Sequence, residues 1–302
     1  MREEFAHILE EVLKGRGAQY ERELDGRRIV RRFEPKERLI LLGGGHIARP
    51  LCRLGSMLDF EVTVVDDRPS FANSSRFPDA AKILCSSFEK AIRDLALKSG
   101  DYVCVITRGH RYDGECLRAI LAGTEVLYLG MIGSKRRVAG LLHQLEEEGF
   151  DPERLSRIHS PIGLKIGAKT PAEIAVSICA EIIECRHLRQ VEEDPSVLQR
   201  TDTDLPLLRF LAEDPSPGSL MTVVSTSGST PVGTGAMMAI DNTGRIFGTI
   251  GGGCGEAEAM RKARQIIGSG SSCICEVDMT ADPASEEGMV CGGKMRVLVE
   301  DK

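Results

Sequence analysis

The sequence lacks the features that mark several common classes of protein. Of its 302 residues 39 are basic and 45 acidic, so it has no positive excess of the kind that binds nucleic acid. Charged residues interrupt every apolar stretch before it reaches the roughly 18 residues of a membrane span. A signal peptide would have its apolar core where this chain has Glu3, Glu4, Glu10 and Glu11. We therefore expect a cytoplasmic protein with neither a membrane nor a nucleic-acid partner.

The ten cysteines include no C-x-x-C pair, and the nearest two are Cys273 and Cys275. A structural zinc site is therefore not expected, and a chain of this length needs no disulfide framework to fold. Six other cysteines lie in apolar strand or helix contexts. We predict that these six are small buried hydrophobic residues: Cys52, Cys85, Cys104, Cys116, Cys179 and Cys185.

Strand and helix patterns alternate from about residue 39 to residue 148, and the strands are almost continuously apolar. This alternation predicts an α/β domain with a parallel sheet covered on both faces. A further helix is expected after Thr170, because Thr170 and Glu173 match a capping box and Pro171 suits the first helical position. Later residues predict a smaller α+β domain. The expected divisions are an N-terminal helix and strand extension (1–34), the α/β domain (35–190), a linker (191–204) and the α+β domain (205–302).

A glycine-rich turn joins the first apolar strand of the α/β domain to a helix. Gly43, Gly45 and Ala48 match the pattern G-x-G-x-x-[GA], in which backbone amides and a helix N-terminus bind a pyrophosphate. Asp66 ends the next strand, where an acidic residue commonly binds a ribose hydroxyl. The pattern predicts a Rossmann-like site for NAD or NADP, although the same turn also occurs in such folds without any ligand.

Other polar residues are expected at the same edge of the sheet. His46 lies inside the glycine turn, where it would contact a phosphate or the backbone. Thr107 and His110 follow another strand, and His110 is either an acid or base or a loop histidine with a backbone partner. The basic residues at 135–137 are most simply a solvated helix face.

Two cysteines of the smaller domain are flanked by glycines. Cys254 follows three glycines and precedes a predicted helix, whose N-terminus would lower the pKa of the thiol. Cys291 precedes Gly292, so the backbone there can also approach a ligand closely. The pair suggests soft chemistry involving sulfur, a persulfide or a molybdenum centre. Two small buried residues would give the same pattern.

A loop rich in hydroxyl groups follows the first strand of the smaller domain. It covers residues 225–231 and includes Ser229. Successive amides in such a loop can form an anion-binding nest, and a surface turn without a ligand would have the same composition.

Long motifs in both domains resemble the XdhC/CoxI family, which comprises accessory factors for xanthine dehydrogenase and related molybdenum hydroxylases. The matching motifs are residues 43–46, 64–69, 162–168, 170–175, 226–231, 248–254 with Glu256, and 290–293. Family members bind the molybdenum cofactor, protect it while a terminal sulfur ligand is installed, and deliver it to the apo-hydroxylase. The resemblance implies a Rossmann-like domain and a cofactor-binding chaperone rather than a turnover enzyme.

By this resemblance, Cys254 and Cys291 are candidate contacts to molybdenum or sulfur. The apo-hydroxylase is the implied partner, and a cysteine desulfurase and a second copy of the chain are further candidates. The alternative is an NAD(P)-dependent oxidoreductase, against which stands the lack of a Ser-Tyr-Lys set. Residues expected to contact a cofactor are Gly43, Gly45, His46, Ala48, Asp66, Asp67, Thr107, His110, Ser229, Gly252, Gly253 and Gly292.

The chain also departs from the family pattern. The cysteine-containing domain usually precedes the Rossmann-like domain, and here the order is reversed. Arg108 stands where the family often has histidine, and Gly255 where a larger apolar residue is common. Each domain can keep its own fold in either order, because each has its own core.

Overall fold

A computed structural model of the chain describes residues 1–188, 194, 196–279 and 293–302. Its helices are α1 (Arg2–Leu13), α2 (Ala48–Met57), α3 (Phe88–Leu95), α4 (His110–Leu121), α5 (Lys135–Glu147), α6 (Pro152–Ser156), α7 (Pro171–Leu188), α8 (Leu205–Ala212) and α9 (Gly253–Ile266). Its strands are β1 (Ala18–Leu24), β2 (Arg27–Phe33), β3 (Arg38–Leu42), β4 (Glu61–Asp66), β5 (Lys82–Cys85), β6 (Tyr102–Val105), β7 (Tyr128–Met131), β8 (Gly218–Ser227), β9 (Met237–Asp241), β10 (Ile246–Gly248), β11 (Ser272–Asp278) and β12 (Lys294–Asp301). Among the helices in these ranges, none has the length and apolar character needed to cross a membrane.

Lys36–Val191 form one compact unit around a five-stranded parallel sheet. The strands lie in the order β5-β4-β3-β6-β7, and each neighbouring pair is parallel. Side chains of α3, α4 and α5 pack against one face, and those of α2 and α7 against the other. Burial on both faces explains why β6, and β3 after its first residue Arg38, are apolar. The predicted α/β class and Rossmann-like sheet are confirmed.

The start of α7 has the capping box that its sequence predicts. The Thr170 hydroxyl accepts the Glu173 N–H at 3.2 Å, and the Glu173 carboxylate accepts the Thr170 N–H at 3.0 Å. The apolar face of the helix then packs on the sheet through Ala175, Ile178 and Ile182, all of which are buried. The local signals therefore place both the beginning of α7 and its buried face.

Met1–Pro35 and Glu192–Lys302 together form the second compact unit. Its antiparallel sheet has the order β10-β9-β8-β12-β11. On one face, α9 packs against the sheet through small residues such as Ala259 and Ala263. On the other face, α1 and α8 pack together, with Phe5 and Leu208 fully buried between them and the sheet. The smaller unit is therefore a layered α+β structure, and α1 is part of its core.

Two elements of this unit are absent from the sequence predictions. β1 has three consecutive charged residues, Glu21, Arg22 and Glu23, and pairs with β2. α8 contains Pro206 in its first turn, where proline is tolerated, and Asp204 caps it by accepting the Leu207 N–H at 3.0 Å. Part of the predicted linker also lies against β2, because Val197 forms a parallel bridge with Val30.

Candidate functional site

The predicted glycine turn lies at the carboxyl edge of the parallel sheet, between β3 and α2. Gly43 has a φ of +119°, and a Cβ there would lie 2.4 Å from a backbone carbonyl oxygen. A Cβ on Gly44 would lie 2.2 Å from the carbonyl oxygen of Phe71, whereas one on Gly45 would meet no atom within 4 Å. α2 then begins at buried Ala48, and no side chain caps its N-terminus. The turn thus has open space at Gly45, where the motif predicts a pyrophosphate.

Asp66, which the motif predicts to bind a ribose, has its oxygens engaged within the protein. The carboxylate accepts the Gly44 N–H at 2.8 Å and three Arg68 N–H groups at 2.8, 2.9 and 3.1 Å. These bonds fill about four acceptor positions, the full capacity of a carboxylate. Burial raises the pKa of Asp66, but the hydrogen bonds from Arg68 and Gly44 outweigh it and hold that pKa below its usual value. A ribose would therefore have to displace Arg68.

Replacing Asp66 by asparagine is expected to cost about 2 kcal/mol at neutral pH, because charged hydrogen bonds of this kind contribute about 1.5–3 kcal/mol. The folded pKa of Asp66 is lowered, so this contribution is complete above the unfolded pKa of about 3.9 and is lost as the pH falls through the folded value. Urea unfolding of wild type and Asp66→Asn at pH 7 and pH 3 measures the difference.

The half-buried neighbour Asp67 provides the control for this measurement. Its ion pair with Arg108 is partly exposed, so Asp67→Asn should change the free energy of unfolding by less than about 1 kcal/mol. A stability difference for Asp66→Asn that is the same at pH 7 and pH 3 would contradict the assigned role of its charge.

Arginine side chains surround the turn. Arg76 donates to the carbonyl oxygens of Gly44 at 2.9 Å and Gly45 at 3.1 Å. Arg108 forms a two-pronged ion pair with Asp67, one bond being 2.8 Å, and lowers the pKa of that carboxyl group. This pair joins the ends of β4 and β6. Because Arg68 and Arg108 are paired with Asp66 and Asp67, the net positive charge that these three arginines bring to the carboxyl edge comes from Arg76.

Asp113 is a further member of the site that sequence reasoning missed. It lies buried in the first turn of α4, and the Thr107 hydroxyl donates to its carboxylate at 2.6 Å. Burial raises the pKa of Asp113, and the nearby His110 acts in the opposite direction. Arg137 Nη2 lies 3.9 Å from Asp113 Oδ2, but the Arg137 side chain stays 55% exposed, and residues 135–137 are all exposed as the prediction of a solvated face of α5 has it.

The other predicted residues of this edge, His46 and His110, are exposed. His110 begins α4, and His46 lies just before α2. The structure therefore brings the glycine turn, Asp66, Asp67, Thr107 and His110 to one edge of the sheet. This is the edge at which doubly wound sheets place their ligands.

In the antiparallel unit, β8 extends to Ser227, so the hydroxyl-rich loop begins at Gly228 and not at Ser225 as predicted; this loop packs against two glycines. A Cβ on Gly251 would lie 2.5 Å from Pro231 Cγ, and Gly251 has a φ of +109°. A Cβ on Gly293 would lie 2.4 Å from the carbonyl oxygen of Ser229. The Ser229–Pro231 loop is thus enclosed by two segments at which a side chain would not fit.

These two glycines flank the predicted cysteine pair. Gly251 precedes Cys254, which lies in the first turn of α9, and Gly293 follows Cys291 in sequence. Gly252 is the N-cap of α9 with a φ of +74°, and Gly253 is its first residue. The side chain of Cys254, and the whole of Cys291 and Gly292, lie outside the described residues. Within the described residues, no group of three His, Cys, Asp or Glu side chains is placed to hold a metal ion.

Glu256 holds the backbone that leads into α9. Its carboxylate accepts the Thr249 hydroxyl at 2.9 Å and the N–H groups of Ile250 at 3.2 Å and Gly252 at 2.9 Å. A Cβ on Gly255 would lie 2.8 Å from a β11 side chain, so the larger apolar residue common in the family would require that strand or α9 to shift. The glycine segment is therefore fixed both by the Glu256 carboxylate and by close packing.

The prediction for the six remaining cysteines holds for Cys52, Cys104, Cys116 and Cys179, which are buried. Burial raises the pKa of each of these four thiols, so they are poor nucleophiles. The prediction is wrong for Cys85, which is exposed at the end of β5, and for Cys185, which is half-buried beside His159.

Two cavities contain none of the predicted site residues. The larger, of about 360 Å³, is lined by Ile120, Leu121, Glu125, Val126, Leu127, Leu129, Arg154, Ser156, Arg157, Ile158 and His159. The smaller, of about 60 Å³, is lined by Arg31, Phe33, Arg200, Asp202, Asp204, Leu207, Met237, Gly248 and Thr249.

Comparison with known proteins gives matches in both units. Over 153 residues the chain is 33% identical to YqeB of Escherichia coli. This match covers 50% of the chain and 28% of YqeB. Over 158 residues it is 38% identical to a Bacillus subtilis protein named as a probable xanthine dehydrogenase subunit, with the match covering 52% of this chain and 46% of that one. A crystal structure described as a xanthine dehydrogenase from Bacillus halodurans is 33% identical, with a TM-score of 0.50 over 56% of this chain and 48% of that chain.

The matched part spans less than half the length of each of these three proteins. Residues 39–182 match the family model of the XdhC Rossmann domain. This segment of the chain contains the glycine turn, Asp66 and the capped start of α7. Residues 211–278 match the model of the XdhC and CoxI family, which contains the Ser229–Pro231 loop and Cys254. The chain therefore belongs to the XdhC and CoxI family, with its Rossmann domain preceding the CoxI-type region in sequence.

Proposed function

We propose that the chain is an accessory protein of a xanthine dehydrogenase-type molybdenum hydroxylase. In this role it holds the molybdenum cofactor, supports the installation of its terminal sulfur ligand and passes it to the apo-hydroxylase. Family membership supports the proposal, as do two relatives whose names refer to xanthine dehydrogenase.

The observation that carries the proposal is the packing of the Ser229–Pro231 loop against Gly251 and Gly293. Neither glycine has room for a Cβ, so both backbone segments run close to the same loop. Each segment leads within a few residues to one of the predicted cysteines, Cys254 and Cys291. Two thiols on segments that share a loop are the donor set that a soft metal centre or a sulfur ligand requires.

Cys254 and Cys291 are the residues that would hold the cofactor. When bound, the cofactor supplies a molybdenum centre whose terminal ligand is replaced by sulfur. The chain's part is to present thiolates, and the N-terminus of α9 favours the thiolate form of Cys254. Glu256 would oppose this with its negative charge, but its carboxylate faces the Ile250 and Gly252 N–H groups. The exposed Ser229 adds a hydroxyl group beside the two segments.

The cysteine pair is tested by producing the chain in cells that make the cofactor. Cys254→Ala and Cys291→Ala should each lower the co-purified molybdenum and pterin at least tenfold and slow the activation of the apo-hydroxylase. Cys273→Ala is the matched control, because Cys273 is a half-buried thiol on β11 of the same unit. Equal cofactor content in wild type and Cys254→Ala would overturn the assigned role of that cysteine.

The apo-hydroxylase is the proposed partner, and a cysteine desulfurase and a second copy of the chain are proposed as further partners. Affinity capture with the purified apo-hydroxylase and with a purified desulfurase tests the first two. Light scattering of the purified chain tests the third. Capture of the apo-hydroxylase that is equal with and without cofactor would count against a hand-over that depends on the cofactor.

A second candidate function is binding of a nucleotide, NAD(P) included, at the glycine turn, with or without oxidoreductase activity. The open space at Gly45 and the uncapped N-terminus of α2 favour a phosphate there, whereas the filled carboxylate of Asp66 does not favour a ribose. A ligand at ~100 times its Kd should stabilise the chain by about 2.7 kcal/mol. Thermal unfolding with NAD, NADP and FAD measures this effect, and nicotinamide absorbance with candidate substrates measures turnover.

A further inference from the structure

Cys185 belongs to a cluster of polar side chains that the proposed function does not use. Its Sγ lies 3.7 Å from His159 Nε2, and His159 Nδ1 lies 3.4 Å from Glu181 Oε1. Cys185 and Glu181 are one turn apart on α7, and His159 lies beside β7, where it bridges to Gly130. The three side chains therefore form a continuous chain of thiol, imidazole and carboxylate.

The carboxylate of this cluster is fixed by the surrounding structure. Glu181 accepts the Tyr128 hydroxyl at 2.5 Å and the Gly163 N–H at 2.8 Å. Burial raises the pKa of Glu181, but the hydrogen bonds from His159, Tyr128 and Gly163 outweigh it and lower that pKa below its usual value. The His159 ring also stacks on the Tyr128 ring, with centroids 4.7 Å apart. A charged Glu181 therefore holds the imidazole with Nδ1 towards the carboxylate and Nε2 towards the thiol.

Other charged and titratable groups border the cluster. Arg186, next to Cys185 on α7, is paired with Glu37 at the start of the unit, and Glu37 also accepts the Tyr102 hydroxyl. Burial raises the pKa of Tyr102 and of Tyr128, and both also lie close enough to Cys185 for a charge on the thiol to add a small increase. The titratable groups around the thiol and imidazole are thus Glu181 from α7, Tyr102 and Cys104 from β6, and Tyr128 from β7, while Glu37 binds Tyr102 and Arg186 binds Glu37.

We propose that Cys185 is a nucleophilic thiol that exchanges with the sulfur of a small disulfide or persulfide, with His159 as its base and Glu181 as the positioning residue. A nucleophile, a base within reach of it and a third group that orients the base are the parts that activate a thiol. Thiol–disulfide exchange needs little else, since the attacking thiolate and the departing thiolate carry the charge. This inference does not depend on the cofactor-binding role of the antiparallel unit.

The exchange balances without an external oxidant or reductant. His159 Nε2 takes the proton of Cys185, and the thiolate attacks one sulfur of a disulfide R–S–S–R′. A Cys185–S–S–R bond forms as the S–S bond of the substrate breaks, and R′–S⁻ leaves with the electron pair and takes the proton from His159. With a persulfide R–S–SH, attack on the outer sulfur leaves Cys185–S–SH and releases R–S⁻.

The proposal is tested on the full-length chain with dithiodipyridine, a neutral disulfide whose leaving group absorbs light. Mass spectrometry of proteolytic peptides assigns the rate to each cysteine. Cys85 is the comparison, because it is exposed in the same unit, and Cys185 is half-buried. We expect Cys185 to react at least tenfold faster than Cys85 at pH 6, where an ordinary thiol with a pKa of about 8.5 is almost fully protonated.

Replacing His159 by glutamine should slow the reaction of Cys185 at least tenfold, since general bases contribute about 10²–10⁴-fold, and should leave the rate of Cys85 unchanged. Tyr128→Phe keeps the ring and removes only the bond to Glu181, so a smaller slowing is expected. Equal rates at Cys185 and Cys85 across pH 5 to 9 in wild type would overturn the proposal, whether or not the His159 variant folds. An unchanged rate at Cys185 in a folded His159→Gln chain would overturn it as well.

Discussion

Replacing Phe5 by alanine is expected to destabilise the antiparallel unit by about 3–5 kcal/mol, the usual cost of removing a buried phenylalanine side chain. Phe5 is fully buried, and its ring centroid lies 5.1 Å from that of Tyr20 and 6.3 Å from that of Phe33. It also packs in the cluster that joins α1 to α8. Because α1 belongs to this unit, hydrogen exchange should speed up in β8 and β12.

Two comparisons make this result specific. Leu13 lies on the same helix but is 57% exposed, so Leu13→Ala should change stability by less than about 0.5 kcal/mol. In the Phe5 variant, exchange in β3 and β6 should stay at the wild-type rate, since these strands belong to the other unit. Unchanged exchange in β8 would show that the N-terminal segment does not support the antiparallel sheet.

Replacing Gly44 by alanine should destabilise the Rossmann unit by about 3 kcal/mol, at the upper end of the cost of forcing atoms into a packed site. The new Cβ would lie 2.2 Å from the Phe71 carbonyl oxygen, so one of the two backbone segments must move. That movement would also disturb the hydrogen bond from the Gly44 N–H to Asp66. Urea unfolding monitored by circular dichroism would show the loss of stability as a lower midpoint concentration of urea.

Gly45→Ala is the matched control, because a Cβ at Gly45 would meet no atom within 4 Å. This variant should keep the wild-type free energy of unfolding to within about 1 kcal/mol, which is the size of the backbone-entropy difference between glycine and alanine. If a phosphate packs against Gly45, the stabilisation by a nucleotide should also be lost in this variant. Equal losses of stability for the Gly44 and Gly45 variants would contradict the close packing at Gly44.

Sequence reasoning located the features that depend on neighbouring residues. The glycine turn from Gly43 to Ala48 and the capping box of Thr170 and Glu173 are local patterns, because each is defined by spacing of a few residues. The parallel sheet followed from the continuous apolar strands. By contrast, β1 and α8 were missed, since the charges of β1 and the proline of α8 resemble loop signals.

Features that join distant parts of the chain could not be read from periodicity. The sequence shows that α1 has an apolar face, but not that this face packs on α8. In the same way, Cys185 and His159 each have ordinary sequence contexts, and only the fold brings them within 3.7 Å. The ion pair between Asp66 and Arg68 could have been predicted, because the two residues are two positions apart. The dinucleotide-binding motif predicts a ribose as the partner of Asp66 instead.

The antiparallel unit is discontinuous in the chain, since its first 35 residues are separated from the remainder by the whole Rossmann unit. During synthesis, α1 leaves the ribosome long before α8 and the strands that it covers. Its apolar face, with Phe5, Ile8 and Leu9, must therefore stay unburied while more than 150 residues are added. A nascent chain with such a face is a substrate for chaperones that bind exposed hydrophobic segments. The Rossmann unit is continuous in sequence and can therefore complete its fold first. The antiparallel unit is the first to begin synthesis, and we expect it to be the last to fold.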